Sequence, residues 1–120
     1  MTGKKKLPLD DRALEMVAQR FRLLGEPQRL RILQALEDGE LSVSALCTRT
    51  GASQPNVSKH LTALFDGGLI QRRRDGNNVL YAIADPVVFL LCELVCRAKS
   101  KQGAEQAIAM RKASASFARK

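Results

Sequence analysis

Between Leu41 and Ala84 the hydrophobic period changes from that of helices to that of strands. This switch constrains the fold more than any other feature of the chain. Up to Gly67, apolar residues recur at helical spacing; from Leu69 they alternate. Ser42 is a good cap for a short helix carrying Val43, Leu46 and Cys47, and Gly51 ends it. Ser53 caps the next helix, which begins near Gln54 and Pro55. That helix buries Val57, Leu61, Leu64 and Phe65 before Gly67 and Gly68 stop it. Leu69–Arg74 and Val79–Ala84 then read as strands, with Asp75, Gly76, Asn77 and Asn78 as turn residues. Val79, Tyr81 and Ile83 alternate onto one face. Two short helices joined at Gly51 and followed by a hairpin predict a winged helix-turn-helix, mainly α with a small antiparallel β-hairpin.

The flanks add helices. Asp10 can cap a first helix running to about Leu24, with Leu14, Val17, Ala18, Phe21 and Leu24 as its apolar stripe. Gly25 breaks it. Pro27 suits the first turn of a second helix, where its missing N–H costs nothing, and Leu30, Leu33 and Leu36 face inward up to Gly39. Asp85 and Pro86 start a last helix by the same logic. Val87–Cys92 is apolar without a break, and Leu94, Val95, Cys96 and Ala98 follow. A helix apolar nearly all round must be covered on more than one side, and a second copy of the chain is the simplest cover. The expected organisation is a basic, disordered stretch over 1–8, one domain over 9–100 and a basic, fraying tail over 101–120.

Twenty Lys and Arg against 12 Asp and Glu give a formal charge of +8, which suits a polyanionic partner. An anionic membrane surface would also suit it, but no apolar run reaches ~18 residues and no signal-peptide core follows the basic start. The expected location is the cytoplasm, with no membrane partner. The outward face of the fourth helix carries Gln54, Asn56, Ser58, Lys59 and Thr62, groups able to bond base edges or phosphates. Ser53 and Pro55 stand at its start, where backbone N–H groups favour phosphate. Arg72, Arg73 and Arg74 run into a wing tip holding Asn77 and Asn78. Alternation sends Arg73 to one face and its neighbours to the other, so the three cannot all pack inside. They read as a phosphate clamp, or as charge that protects an edge strand. These residues make double-stranded DNA the expected partner. One His, no Gly-rich phosphate loop and no paired carboxylates leave no catalytic constellation, so no enzyme is expected.

The run "LLGEPQRLRILQAL" resembles the second-helix signature of the ArsR/SmtB (arsenic-repressor) family, and "ASQPNVSKHLTALFDGGLIQRRRDGNNVLYAI" resembles its recognition helix and wing. The similarity runs from Phe21 to Leu94. It implies a homodimeric repressor whose first and last helices form the interface. It also implies release from operator DNA by an inducer, often a metal or metalloid ion or a reactive sulfur species. The family motif places a His at His60, near the DNA backbone; a phosphate contact or a packing role is expected there rather than metal binding.

The sensor segment departs from the family pattern. Arsenic-responsive members carry "ELCVCDLC"; this chain reads "ELSVSALC", so Ser42 and Ser44 replace two thiols and Cys47 remains. Serine is a poor ligand for soft As(III). Of the positions used by zinc-responsive members, Asp85 matches, but Val87, Ala98 and Lys101 do not. Gln34 stands where persulfide-sensing members have a cysteine. Cys92 and Cys96 remain, four residues apart on one helix face, too far for a disulfide within an intact helix. They could hold a soft ion such as As(III), with a thiolate from the partner chain as a further ligand, or pack as small hydrophobes. Cys47 is the weaker candidate. No cofactor is required by this reading. The competing functions are a constitutive DNA-binding protein without an inducer and a winged-helix protein-interaction module.

Overall fold

Capping fixes where the helices begin. The computed structural model describes residues 9–98; the expectations for 1–8, for 101–120 and for fraying past Lys99 lie outside the described residues. The Asp10 carboxylate accepts from the Ala13 N–H at 2.9 Å and opens α1 (Asp11–Leu24). Pro27 is the first residue of α2 (Pro27–Ala35). Ser42 accepts from Ala45 at 3.1 Å to open α3 (Val43–Thr50), and Ser53 accepts from Asn56 at 3.4 Å to open α4 (Gln54–Asp66). Each such side-chain cap contributes about 1 kcal/mol by occupying an N–H that the helix leaves unpaired. Gly51 takes the left-handed conformation, φ 75°, and its N–H returns to Cys47 O at 2.8 Å, which turns the chain sharply between α3 and α4.

Several details differ from the sequence expectations. The second helix loosens early: Leu36–Asp38 form a 3-10 turn before Gly39. The last helix, α5 (Val87–Arg97), has Pro86 at its cap with no side-chain bond from that residue, and the Asp85 carboxylate before it lies 4.0 Å from Arg20 of α1. The sheet gains a strand. Leu41 and Ser42 form β1, which pairs antiparallel with β3 (Asn78–Ile83), and β3 pairs with β2 (Ile70–Asp75), giving the order β1-β3-β2. The hairpin turn is tighter than expected. Asp75 pairs with Asn78, so Gly76 and Asn77 alone form the loop. Val79–Ile83 are all half-buried rather than alternating between buried and exposed, and β3 is the central strand.

The described residues fall into two compact units divided between Asp85 and Pro86. In the first, Ile32, Leu33 and Leu36, Leu46, Val57, Leu61 and Leu64, and Leu69 and Ile70 form the core. Each such side chain contributes roughly 1.5–3 kcal/mol by leaving water. α1 buries no residue fully: Leu14, Met16, Val17 and Phe21, the last 56% exposed, lie open. In the second unit, α5 likewise leaves Val87, Leu90, Leu94 and Val95 exposed, Val95 at 64%. No helix among the described residues is long and apolar enough to cross a membrane.

Candidate nucleic-acid interface

The core grips α4 by one side only. Val57, His60, Leu61 and Leu64 are buried, whereas Ser53, Gln54, Pro55, Lys59 and Thr62 are exposed and Asn56 and Ser58 are half-buried. Helical spacing thus sorts the residues into a held face and an offered face. The Thr62 hydroxyl donates to Ser58 O at 3.0 Å. His60 stands apart from the offered set. It is 5% exposed, and its Nδ1 accepts from Arg29 Nε at 3.1 Å, so its place is in the packing between α2 and α4. Its pKa is lowered, first by burial, then by Arg29 and Lys59, with Glu26 opposing.

The wing arginines part as alternation requires. Arg72 and Arg74 share a face of β2 with Ile70, and the Arg72 guanidinium lies 4.1 Å from the centre of the Phe65 ring on α4. Arg73 faces the other way and makes a two-pronged pair with Glu40, Nε to Oε2 at 2.7 Å and Nη2 to Oε1 at 2.8 Å. The hydrogen bond from Arg73 holds the Glu40 carboxyl below its ordinary range. Glu40, Gln71, Arg72, Arg73, Leu80 and Ala82 line one shallow depression beside this pair. Arg74 makes no ion pair among the described residues. Asn77 and Asn78 are exposed at the tip.

Neither Glu40, Phe65 as a ring partner, nor Arg29 belongs to the site residues that sequence reasoning selects. Glu40 and Arg73 are 33 residues apart, and no local pattern pairs them. Arg29 lies inside the GEPQRL run, but nothing in that run names its partner.

A helix offering polar side chains beside an arginine-rich hairpin defines the winged helix-turn-helix class. The family profile for bacterial regulatory proteins of the arsR family matches residues 26–72. The chain is 40% identical over 74 residues to the probable mercury resistance operon repressor of Streptomyces lividans, covering 62% of this chain and 59% of that one. It is 36% identical over 91 residues to the transcriptional regulator NmtR of Mycobacterium tuberculosis, covering 76% of each. The solved homodimeric winged helix-turn-helix DNA-binding domain of Mb0332 from Mycobacterium bovis, a possible ArsR-family regulator, matches with a TM-score of 0.68 and 31% identity. That match covers 82% of this chain and 94% of that one. This chain belongs to the ArsR/SmtB superfamily. Its matched stretch spans 59%, 58% and 42% of three of its curated relatives.

The thiols lie on two helices. Cys47 is half-buried on α3, where Ser42 already serves as a cap. On α5, Cys92 is exposed and Cys96 half-buried. Packing around Cys92 pushes its thiol pKa up, with Cys96 adding to the shift. Arg97 of the same helix lies 3.9 Å from Glu93. Among the described residues no cluster of three or more His, Cys, Asp or Glu side chains could hold a metal ion.

Proposed function

We propose that this chain is a homodimeric repressor that reads operator DNA with α4, clamps phosphates with its wing, and is released by a thiophilic ion at Cys92 and Cys96. The observation that carries the DNA reading is the offered face of α4, Ser53 to Thr62, beside three consecutive wing arginines. Two recognition helices entering successive major grooves require half-sites about one DNA turn, ~10 base pairs, or a multiple apart. The homodimer draws support from the uncovered apolar faces on α1 and on α5, and from the homodimeric Mycobacterium bovis domain. Repression and a soft ion draw support from the Streptomyces relative, named for mercury resistance.

Cys92 and Cys96 are two ligands, so a partner-chain thiolate completes a soft-ion site. A raised thiol pKa means a proton leaves when the ion binds, and ion affinity then rises with pH. An ion that binds the DNA-incompetent state more tightly need supply only ~1–3 kcal/mol of coupling to change operator affinity about 5–150-fold. The test is sedimentation of the wild type, followed by DNA release with As(III) or Hg(II) in wild type and in Cys92→Ser/Cys96→Ser. The expected result is a dimer whose release requires both thiols. A stable monomer at micromolar concentration contradicts the dimer. Equal release of the double variant assigns the thiols to packing and makes Cys47 the next sensor candidate.

A further inference from the structure

Arg29, in the first turn of α2, ties together two helices that do not follow one another in sequence. Its Nη1 donates to Leu23 O at 3.2 Å, one of the last carbonyls of α1, which the helix itself leaves without a partner. Its Nε donates to His60 Nδ1 in the middle of α4 at 3.1 Å. The same end of α1 meets α4 again at its C-terminus. A Cβ on Gly67 would lie 2.2 Å from Leu23 Cδ2, so the Leu23 side chain rests on the bare glycine backbone that ends α4.

We propose that Arg29 is a positioning residue for DNA recognition, whose guanidinium, through neutral His60, sets where α4 stands against the end of α1. The inference rests on α4 being the DNA-reading helix, and it makes α1 a route by which an event at a partner subunit reaches that helix. An Nδ1 that accepts carries no proton, so the proton sits on Nε2. Protonating the ring would set an Nδ1–H against the Arg29 N–H, donor against donor and cation against cation. The charged groups acting on His60 are Arg29 on α2, Glu26 at its cap and Lys59 on α4; of these only Glu26 favours the charged ring. The folded pKa therefore lies below the ordinary 6.5. The link is intact above pH 6.5 and is lost as pH falls from there through the folded value.

Two roles for His60 give opposite signs. A histidine against a phosphate would strengthen DNA binding on acidification, because it gains a cation there. A histidine holding Arg29 would weaken it. The probe is a labelled duplex that the wild-type protein enriches from a random-sequence pool, with affinity measured at fixed salt near pH 7.5 and pH 5.5. Wild type is expected to lose affinity as pH falls below 6.5 through the folded pKa of His60. His60→Asn places an oxygen acceptor near the Nδ1 position and takes up no proton. It is expected to bind within about twofold of wild type at the higher pH and to show no loss at the lower. Arg29→Gln is expected to bind more weakly at both. Affinity that rises on acidification, or an equal fall in wild type and His60→Asn, overturns the proposal. The wild-type profile needs no variant, so a misfolded variant leaves the test standing. A protein that enriches no duplex overturns this inference together with the DNA reading; one that enriches a duplex with pH-independent affinity overturns this inference alone.

Discussion

The fourth helix and the wing both face outward, but they are held in different ways. α4 is fixed by a buried face, with Val57, Leu61 and Leu64 in the core and His60 bonded to Arg29. The wing is fixed at its surface. Arg72 lies on Phe65 and Arg73 pairs with Glu40, while every residue from Gln71 to Asn78 is exposed. A helix held by its core keeps its outward side chains in a set geometry, which reading bases requires. A wing held by exposed contacts can adapt to a phosphate backbone, which carries no sequence information. Specificity and affinity should therefore separate under mutation.

The largest effect tests the anchoring of α4. Leu64→Ala should lower stability by about 2–5 kcal/mol, and a chemical-denaturation midpoint will show it. If stability is unchanged, the core does not fix this helix. Next in size, Gln54→Ala or Asn56→Ala should cost about 1–3 kcal/mol of discrimination between the enriched duplex and a scrambled one, with little change in salt dependence. Arg74→Ala should weaken both duplexes alike and reduce the slope of log affinity against log salt by about 0.9, the loss of one phosphate contact. Glu40→Gln gives the smallest effect. It should leave the fold intact and free Arg73, steepening the same slope by up to about 0.9. In the wild type the Glu40–Arg73 pair is intact above pH 4.5 and is lost as pH falls through the lower folded pKa of Glu40. A Glu40→Gln slope equal to that of wild type would mean that Arg73 already leaves Glu40 on DNA, or never reaches it.

Local chemistry made much of this legible. Asp10, Ser42 and Ser53 cap the helices as their residue types predict, and Gly51 turns the chain where the periodic pattern breaks. Alternation in β2 assigns Arg73 to the face opposite Arg72. The hidden parts are long-range. β1 is two residues long, too short to show a period, and exists because β3 offers an edge to Leu41 and Ser42. The Arg29–His60 bond spans 31 residues, so sequence leaves open whether this histidine meets phosphate or packs, and it is the packing role that the structure shows. Asp85 stands before Pro86 in sequence, and its neighbour Arg20 on α1, 4.0 Å away, comes far earlier in the chain, so no local pattern pairs them.

The most direct measurement is a salt titration of DNA affinity for wild type, Gln54→Ala and Arg74→Ala on the enriched and scrambled duplexes. Wild type should lose affinity linearly in log salt on both duplexes. Gln54→Ala should narrow the gap between duplexes at constant slope, and Arg74→Ala should flatten the slope at a constant gap. A wild-type affinity indifferent to salt, or two variants that change gap and slope together, would contradict the division of labour between helix and wing.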